Sequence, residues 1–340
     1  MFNAAVIGLG KIGLQFDIPR KAMPQSHALA YHLNPDINLV AGVGVRQEQG
    51  DRLAEVAPEA KFYLDLGEML SRHRLDIVSI CTPPHVRLDL LRSVMEGSDA
   101  PVIFLEKPVA NTTREAEAIV ALAGRHNRTV LVNLSRRWSY GAVRVREAIR
   151  SGRYGRLKTV HLKYTRGISN TGSHLFDLVR FIAGPVESVQ VLRRVPTRLD
   201  ALDDPTYSFA FTLEGGEATG YAEGFDDRDY VLFELDLFLE KGRIEIRQGG
   251  DQIRFYCVEE HPVQQGLTQL ALQEEETRLS GRSSSIANAV AHLVEVLQGR
   301  SKPISTLEDG IYPLYAAEAL RRSNAAGGSL ELIAKGGSQS

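Results

Sequence analysis

The run Ala4-Ala5-Val6-Ile7-Gly8-Leu9-Gly10-Lys11-Ile12-Gly13 narrows the choice of fold more than any other stretch of the chain. A short apolar strand breaks into glycines spaced G-x-G-x-x-G, and each glycine answers a different steric demand. One allows a tight turn, one brings bare backbone against a pyrophosphate, and one lets a helix start close to the strand with its first amides facing the negative charge. A glycine-rich turn without a ligand has the same spacing, so the position directly after a strand is what favours a bound dinucleotide. The contacts expected here are Gly8, Gly10, Lys11, Ile12 and Gly13.

The same alternation of strand and helix continues to residue 134. Pro19 and Pro24 interrupt the first helix and leave a loop beside the phosphate turn, because proline is not tolerated in a helix interior. The helix resumes near 26–33, and a strand follows at 37–43. Many dinucleotide folds carry an acid for the ribose hydroxyls at the end of that strand; this chain reads Gly44-Val45-Arg46. Without the carboxylate a 2′-phosphate is accommodated, and Arg46 is either its partner or a solvated loop arginine. The cofactor is therefore NAD or NADP.

Further strands are expected at 61–63, 76–81, 101–105 and 129–134. Helices fall near 48–57, after Asp65, at 86–96 and from Thr112, where Glu115 stands in capping-box spacing. Two of the strands end in turns rich in chemistry, Thr82-Pro83-Pro84-His85 and Glu106-Lys107-Pro108. Open α/β sheets bind ligands at the carboxyl ends of their strands, so Thr82, Pro83, His85, Glu106 and Lys107 join the expected cofactor contacts. Pro108 biases Lys107 away from helical geometry and presents an ammonium towards a nicotinamide; the plainer alternative is a surface lysine beside a rigid turn. Residues 1–134 thus read as a dinucleotide-binding Rossmann domain with a doubly wound parallel sheet.

From residue 135 the pattern changes. A helix near 139–151 and a strand at 156–166 lead to a second helix over 168–184, with Ser173 as its cap and His174 and Asp177 on one face of its first turn. Capping and helix-dipole roles would equally account for those two side chains. Residues 186–258 read as a mostly antiparallel sheet with short connections, 259–285 as a polar loop, and 286–297 and 307–324 as helices. This gives a second, α+β domain with a large open sheet over 135–330, for substrate binding and oligomerisation, and a tail at 331–340 that frays from Gly336. Leu232, Leu235, Leu237 and Leu239 are too dense for a sheet wetted on one face, so a homo-oligomer, dimer or tetramer, is expected through it.

Composition excludes several classes. The 40 basic against 42 acidic residues leave a net charge of -2, which argues against nucleic acid or an anionic membrane as partner. The two cysteines, Cys81 and Cys257, rule out a disulfide framework, and no zinc-ligand spacing occurs. With no charged region before the first apolar run and no stretch of membrane-spanning length, the expected location is the cytoplasm.

Taken in order, Gly8-Leu9-Gly10-Lys11-Ile12-Gly13, Thr82-Pro83, Glu106-Lys107-Pro108, the helix start from Asn170 to Asp177, and Gly299-Arg300-Ser301-Lys302-Pro303 with Glu308-Asp309-Gly310 resemble the glucose–fructose oxidoreductase/inositol dehydrogenase (Gfo/Idh/MocA) family. The resemblance covers nearly the whole chain. It implies a nicotinamide-dependent oxidoreductase acting on sugars, inositols or sugar derivatives, with Lys107 and His174 in the catalytic positions. One departure stands out: the family often has an aspartate four residues before the histidine, and here Asn170 occupies that place. An amide hydrogen-bonds a hydroxyl but is no general base, which leaves the proton to Lys107 or His174. The phrase from Tyr164 to His174 is similar to members associated with bacterial surface-polysaccharide sugars.

The reading that follows is hydride transfer between nicotinamide and a ring carbon of a sugar or nucleotide sugar. Asn170 and Asp177 would bind or orient the substrate, with Arg166 and the adjacent Arg136 and Arg137 available for an anionic group; paired arginines are also a common solvated face. Two alternatives carry over: a dinucleotide-binding regulator or sensor that lost turnover, which Asn170 favours, and a nicotinamide-dependent glycosidase that opens with the same hydride step.

Overall fold

The computed structural model describes residues 1–198, 200 and 203–334. It divides into two compact units, Met1–Trp138 with Ser283–Ile311, and Ser139–Arg282 with Tyr312–Ser340.

The first unit is built on β1 (Phe2–Ile7), β2 (Ile37–Val43), β3 (Lys61–Tyr63), β4 (Ile77–Ile80), β5 (Val102–Glu106) and β6 (Thr129–Asn133). All pair in parallel in the order β3-β2-β1-β4-β5-β6, so the order reverses between β1 and β4. That reversal opens a crevice at the strands' carboxyl ends, where the three turns read from the sequence stand side by side. Strands β4 and β5 are buried throughout, as expected of a sheet covered on both faces. The helices between strands are α1 (His27–Leu33), α2 (Glu48–Val56), α3 (Leu66–Arg72), α4 (Arg87–Gly97) and α5 (Thr113–His126). Thr112 caps α5 by accepting from the Glu115 amide, while the Glu115 carboxylate reaches back to the amide of Asn111.

The expected loop in the first helix takes an unusual form. Residues 10–14 make one helical turn, with the amides of Leu14 and Gln15 bonding Gly10 O, and then the chain leaves. It returns so that His27 N donates to Ile12 O and Ala28 N to Gly13 O, both at 3.0 Å, as if α1 continued the glycine turn. Asp17, wholly buried, closes the excursion by accepting from the amides of Gln25 and Ser26 and from the Ser26 hydroxyl.

A domain boundary after 134 does not describe this unit, because residues 283–311 return to it. Ile286, Ala289, Val290, Leu293 and Val294, on the helix Ser285–Leu297, share one buried cluster with β1, α1, α2 and Trp138. Ser305 donates its hydroxyl to Val132 O and accepts the Val132 amide at its carbonyl, extending the sheet past β6. The apolar helix buries its face against the Rossmann sheet, a pairing that sequence adjacency cannot reveal.

The second unit holds β7 (Leu157–Tyr164), β8 (Val186–Val195), β9 (Thr206–Leu213), β10 (Thr219–Gly224), β11 (Phe233–Leu239), β12 (Gly242–Arg247), β13 (Gln252–Glu260), β14 (Thr268–Glu276) and β15 (Glu331–Leu332). Among the described residues they form one sheet, β14-β13-β12-β11-β7-β10-β9-β8-β15, antiparallel except where β7 meets β10. Its helices are α6 (Tyr140–Arg150), α7 (Gly172–Ala183) and, from Tyr312 on, the helix Leu307–Ala325.

Three expectations are corrected here. The segment 259–285 is not a loop, since it contributes the end of β13 and all of β14. Its edge strand alternates between exposed and half-exposed residues, so the period-two apolar signal is diluted by glutamates and glutamines. The tail at 331–340 begins with β15, which pairs with β8 through Glu331 and Val189; the portion from Gly336 lies outside the described residues. The leucines of β11 do not point outward: Leu235, Leu237 and Leu239 lie on one buried face with Val160, Leu162, Ile244, Ile246, Ile253 and Phe255.

The opposite face is charged. Lys163 lies 3.5 Å from Asp236, Arg243 bridges Asp236 and Glu245 at 2.7 and 2.6 Å, and Arg254 meets Glu275 at 2.6 Å. The Arg247 hydrogen bond holds the Glu245 carboxyl below its usual range despite burial.

Candidate active site

The glycine turn is shaped for close approach. Gly8 has φ +94°, and a Cβ at Gly13 would stand 2.1 Å from Gly8 O, so both places demand glycine. Gly10 differs: a Cβ there would meet nothing within 4 Å, which leaves the space a pyrophosphate needs. Lys11 is exposed and Ile12 half-buried on the same turn. Beside it Thr82 is half-buried with its hydroxyl oxygen buried and without a hydrogen-bond partner among the described residues. An open glycine cradle and an orphaned hydroxyl fit a dinucleotide. Pro83 and His85 are exposed around the short turn Pro84–Val86.

Two side chains that sequence reading missed hold these turns. Arg87, at the first position of α4 and 3% exposed, donates Nε and Nη2 to Thr82 O at 3.0 and 2.6 Å. Its Nη1 donates to the carbonyls of Glu106 and Pro108. One guanidinium therefore ties the Thr82-Pro83 turn to the one carrying Lys107; burial lowers its pKa to about 10, so it stays charged at neutral pH. The second is His27, wholly buried, with Nε2 2.9 Å from Glu106 Oε1 and Nδ1 2.8 Å from Ser79 Oγ. Asn133 Nδ2 donates to the same Glu106 oxygen at 2.6 Å. Glu106 thus turns a carboxylate oxygen inward, a different duty from the cofactor contact expected of it. Burial would raise its pKa, but the His27 and Asn133 hydrogen bonds and the nearby positive charge outweigh burial and keep it low. Lys107 itself is half-buried, and the Lys107–Pro108 peptide is cis.

At the end of β2, Gly44 packs under Gln49, whose Oε1 accepts the amides of Val45 and Arg46 at 2.8 and 3.1 Å. Gln49 Nε2 donates in turn to Leu9 O at 3.0 Å, joining this loop to the glycine turn. Arg46 is exposed there. NADP is therefore expected to bind at least as tightly as NAD, with Arg46→Ala weakening NADP selectively by roughly tenfold or more, the scale of a charge-assisted contact. Calorimetric titrations with both dinucleotides check this; strong NAD binding with no detectable NADP binding would refute it.

Of the arginine pair, Arg137 is a brace inside the first unit, its Nη1 2.6 Å from Ile304 O and 2.9 Å from Asp309 Oδ2. Arg136 is partly exposed, and burial of its guanidinium lowers the pKa to about 10.

The remaining candidates stand in the second unit. Arg166, exposed with φ +69°, opens a π-helical turn at Gly167–Thr171 that runs into α7. Ser173 does not cap α7; it lies inside the helix and donates to Asn170 O. The turn is held instead by Asp204, which accepts the amides of Ser169 and Asn170 at 2.7 and 3.0 Å. Nothing in the local sequence of Asn170 points to that distant aspartate. Asn170 and His174 are half-buried, and Asp177 is wholly buried. Such π-turns recur at functional sites because they shift side chains out of regular helical register.

A parallel sheet of this strand order with a glycine cradle at its first carboxyl end defines a dinucleotide-binding Rossmann unit, followed here by a large-sheet α+β unit. Residues 2–134 match the Gfo/Idh/MocA family model, described as an oxidoreductase family with an NAD-binding Rossmann fold. The chain is 26% identical over 209 residues to the inositol 2-dehydrogenase of Rhizobium meliloti, covering 57% of this chain and 58% of that one. The chain spans about half the length of the curated relatives it matches, 47% and 58% for two of them. Among solved structures it is similar in fold to the WlbA dehydrogenase from Bordetella pertussis in complex with NADH and UDP-GlcNAcA, with TM-score 0.72, 19% identity and 98% of each chain covered. Levoglucosan dehydrogenase in complex with NADH has TM-score 0.77 at 16% identity, with 98% of this chain and 99% of that one covered. Among the described residues, no helix is long and apolar enough to cross a membrane.

Proposed function

We propose that the protein is an NAD(P)-dependent oxidoreductase acting on a ring hydroxyl or keto carbon of a sugar or nucleotide sugar. The observation that carries this is the grouping of the glycine cradle, the Thr82-Pro83 turn and the Lys107 turn at the carboxyl ends of β1, β4 and β5, with Arg87 clamping the last two. The dehydrogenase names of the inositol relative and of the two solved neighbours support the reaction class, and the UDP-GlcNAcA of one of them supports a nucleotide sugar as substrate; a place in surface-polysaccharide metabolism rests on the phrase from Tyr164 to His174 alone.

When bound, nicotinamide supplies the hydride donor or acceptor. The cradle of Gly8, Gly10 and Gly13 would hold the pyrophosphate of the bound dinucleotide. Lys107, as the neutral amine, takes the hydroxyl proton on Nζ as the alcohol is oxidised and, as the ammonium, returns it in the reverse direction, and His174 serves as the second acid–base group. Asn170 orients the hydroxyl through its amide, and Arg136 and Arg166 are the cations offered to an anionic substrate. Incubation with NAD, NADP and a panel of sugars and nucleotide sugars, followed by nicotinamide absorbance, tests the reading. A sensor would bind dinucleotide with no turnover, and a glycosidase would release an aglycone without net change in absorbance.

A homo-oligomer, dimer or tetramer, belongs to the same proposal. Its support is the mixed-charge open sheet face, whose alternating signs suit a second copy of itself. Light scattering at micromolar concentration should give a mass above that of one chain, falling as salt rises; a monomer at low salt would refute it.

A further inference from the structure

Behind the Lys107 turn runs a chain of buried polar groups from which water is excluded. Tyr31, His27 and Ser79 are each 0% exposed, and Glu106 is 7% exposed. Tyr31 Oη lies 2.6 Å from Ser79 Oγ, Ser79 Oγ 2.8 Å from His27 Nδ1, and His27 Nε2 2.9 Å from Glu106 Oε1. Hydrogen counting sets the direction of the His27–Glu106 bond. An ionised Glu106 only accepts, so His27 Nε2 carries a proton. With Nδ1 bare, Ser79 donates to it, and the Tyr31 hydroxyl donates to Ser79. An imidazolium would donate from Nδ1 to Ser79 Oγ and leave one hydroxyl proton, of Ser79 or of Tyr31, without an acceptor among these groups, a cost of about 1–3 kcal/mol. The charged and titratable groups around Glu106 are His27 and Tyr31 on α1, Cys81 after β4 and Arg87 on α4, with the amide of Asn133 on β6.

We infer that His27, donating from Nε2 to the Glu106 carboxylate, is a positioning residue that locks the Glu106 side chain and so holds the turn presenting Lys107. This rests on the proposed role of Lys107. The turn is fixed from two sides: Arg87 holds the carbonyls of Glu106 and Pro108, and His27 holds the carboxylate between them. His27 owes its place to the split helix, since its amide caps onto Ile12 of the glycine turn. One residue thereby links the cradle that holds a dinucleotide to the lysine that acts beside it.

The test compares His27→Phe, which fills the space without donors, with His27→Gln, whose amide still donates towards Glu106. His27→Phe should keep NADH affinity, measured by fluorescence titration, within about threefold, while kcat falls by up to about 10²-fold and KM changes little. His27→Gln should recover most of that loss. Equal loss in both variants, or an unchanged kcat in His27→Phe, would overturn the inference. One readout needs no turnover and separates this inference from the proposed activity. Hydrogen exchange of the segment 104–110 should quicken in His27→Phe and not in His27→Gln; equal protection in both would overturn it as well.

Discussion

Lys107→Met is expected to abolish hydride transfer while dinucleotide binding persists. Methionine keeps the apolar stem of the half-buried side chain and removes the ammonium, and Arg87 and His27 still hold the turn by the backbone and by Glu106. An alcohol yields hydride only as its proton leaves, so losing the acid–base group raises the barrier by factors of roughly 10²–10⁴. His174→Gln should be impaired as well. Single-turnover measurement on saturated protein is the proper assay, since it separates chemistry from binding. Near wild-type transfer in Lys107→Met would overturn the assignment, and equal activity in His174→Gln would favour a sensor or another site. Asn170→Asp is informative beside them: if the amide only orients substrate, the new carboxylate changes the pH profile without being required.

Gly13→Val and Gly10→Ala are expected to damage the same turn in opposite ways. At Gly13 the first added carbon would lie 2.1 Å from Gly8 O, a backbone atom that cannot rotate aside. The turn must open, which costs about 1–3 kcal/mol or more by overpacking, and both thermal stability and NADH binding should fall. At Gly10 an added Cβ meets no protein atom within 4 Å, so the melting temperature should hold. The methyl would instead occupy space meant for the pyrophosphate, and affinity should fall at least tenfold. Calorimetric melting and NADH titration on both variants check the pair. A stable Gly13→Val that binds normally, or a Gly10→Ala with wild-type affinity, would place the dinucleotide elsewhere.

The first unit was legible because its signals are local. The apolar run before Gly8, the turns after β4 and β5, and the caps at Asp65 and Thr112 each depend on neighbours a few residues away. The edge strand β14 was misread for the opposite reason: half-exposed and rich in glutamate, it is defined by pairing with β13 and not by its own pattern. The leucines of β11 differ: Leu235, Leu237 and Leu239, two residues apart, share one face by strand alternation alone, and pairing with β7 and β12 decides only that this face is the buried one.

By itself the sequence determined the order of strands and helices up to residue 134, the glycine cradle and the turn that carries Lys107, because period, turn chemistry and motif spacing are properties of contiguous residues. Tertiary structure alone decided that residues 283–311 complete the first unit, that Arg87 clamps two turns, that His27 reaches Glu106 and that Asp204 holds the Asn170 turn. The reason is physical. A buried arginine, histidine or carboxylate is stable only when distant backbone and side-chain groups complete its hydrogen bonds, and which groups those are is set by how the sheet folds.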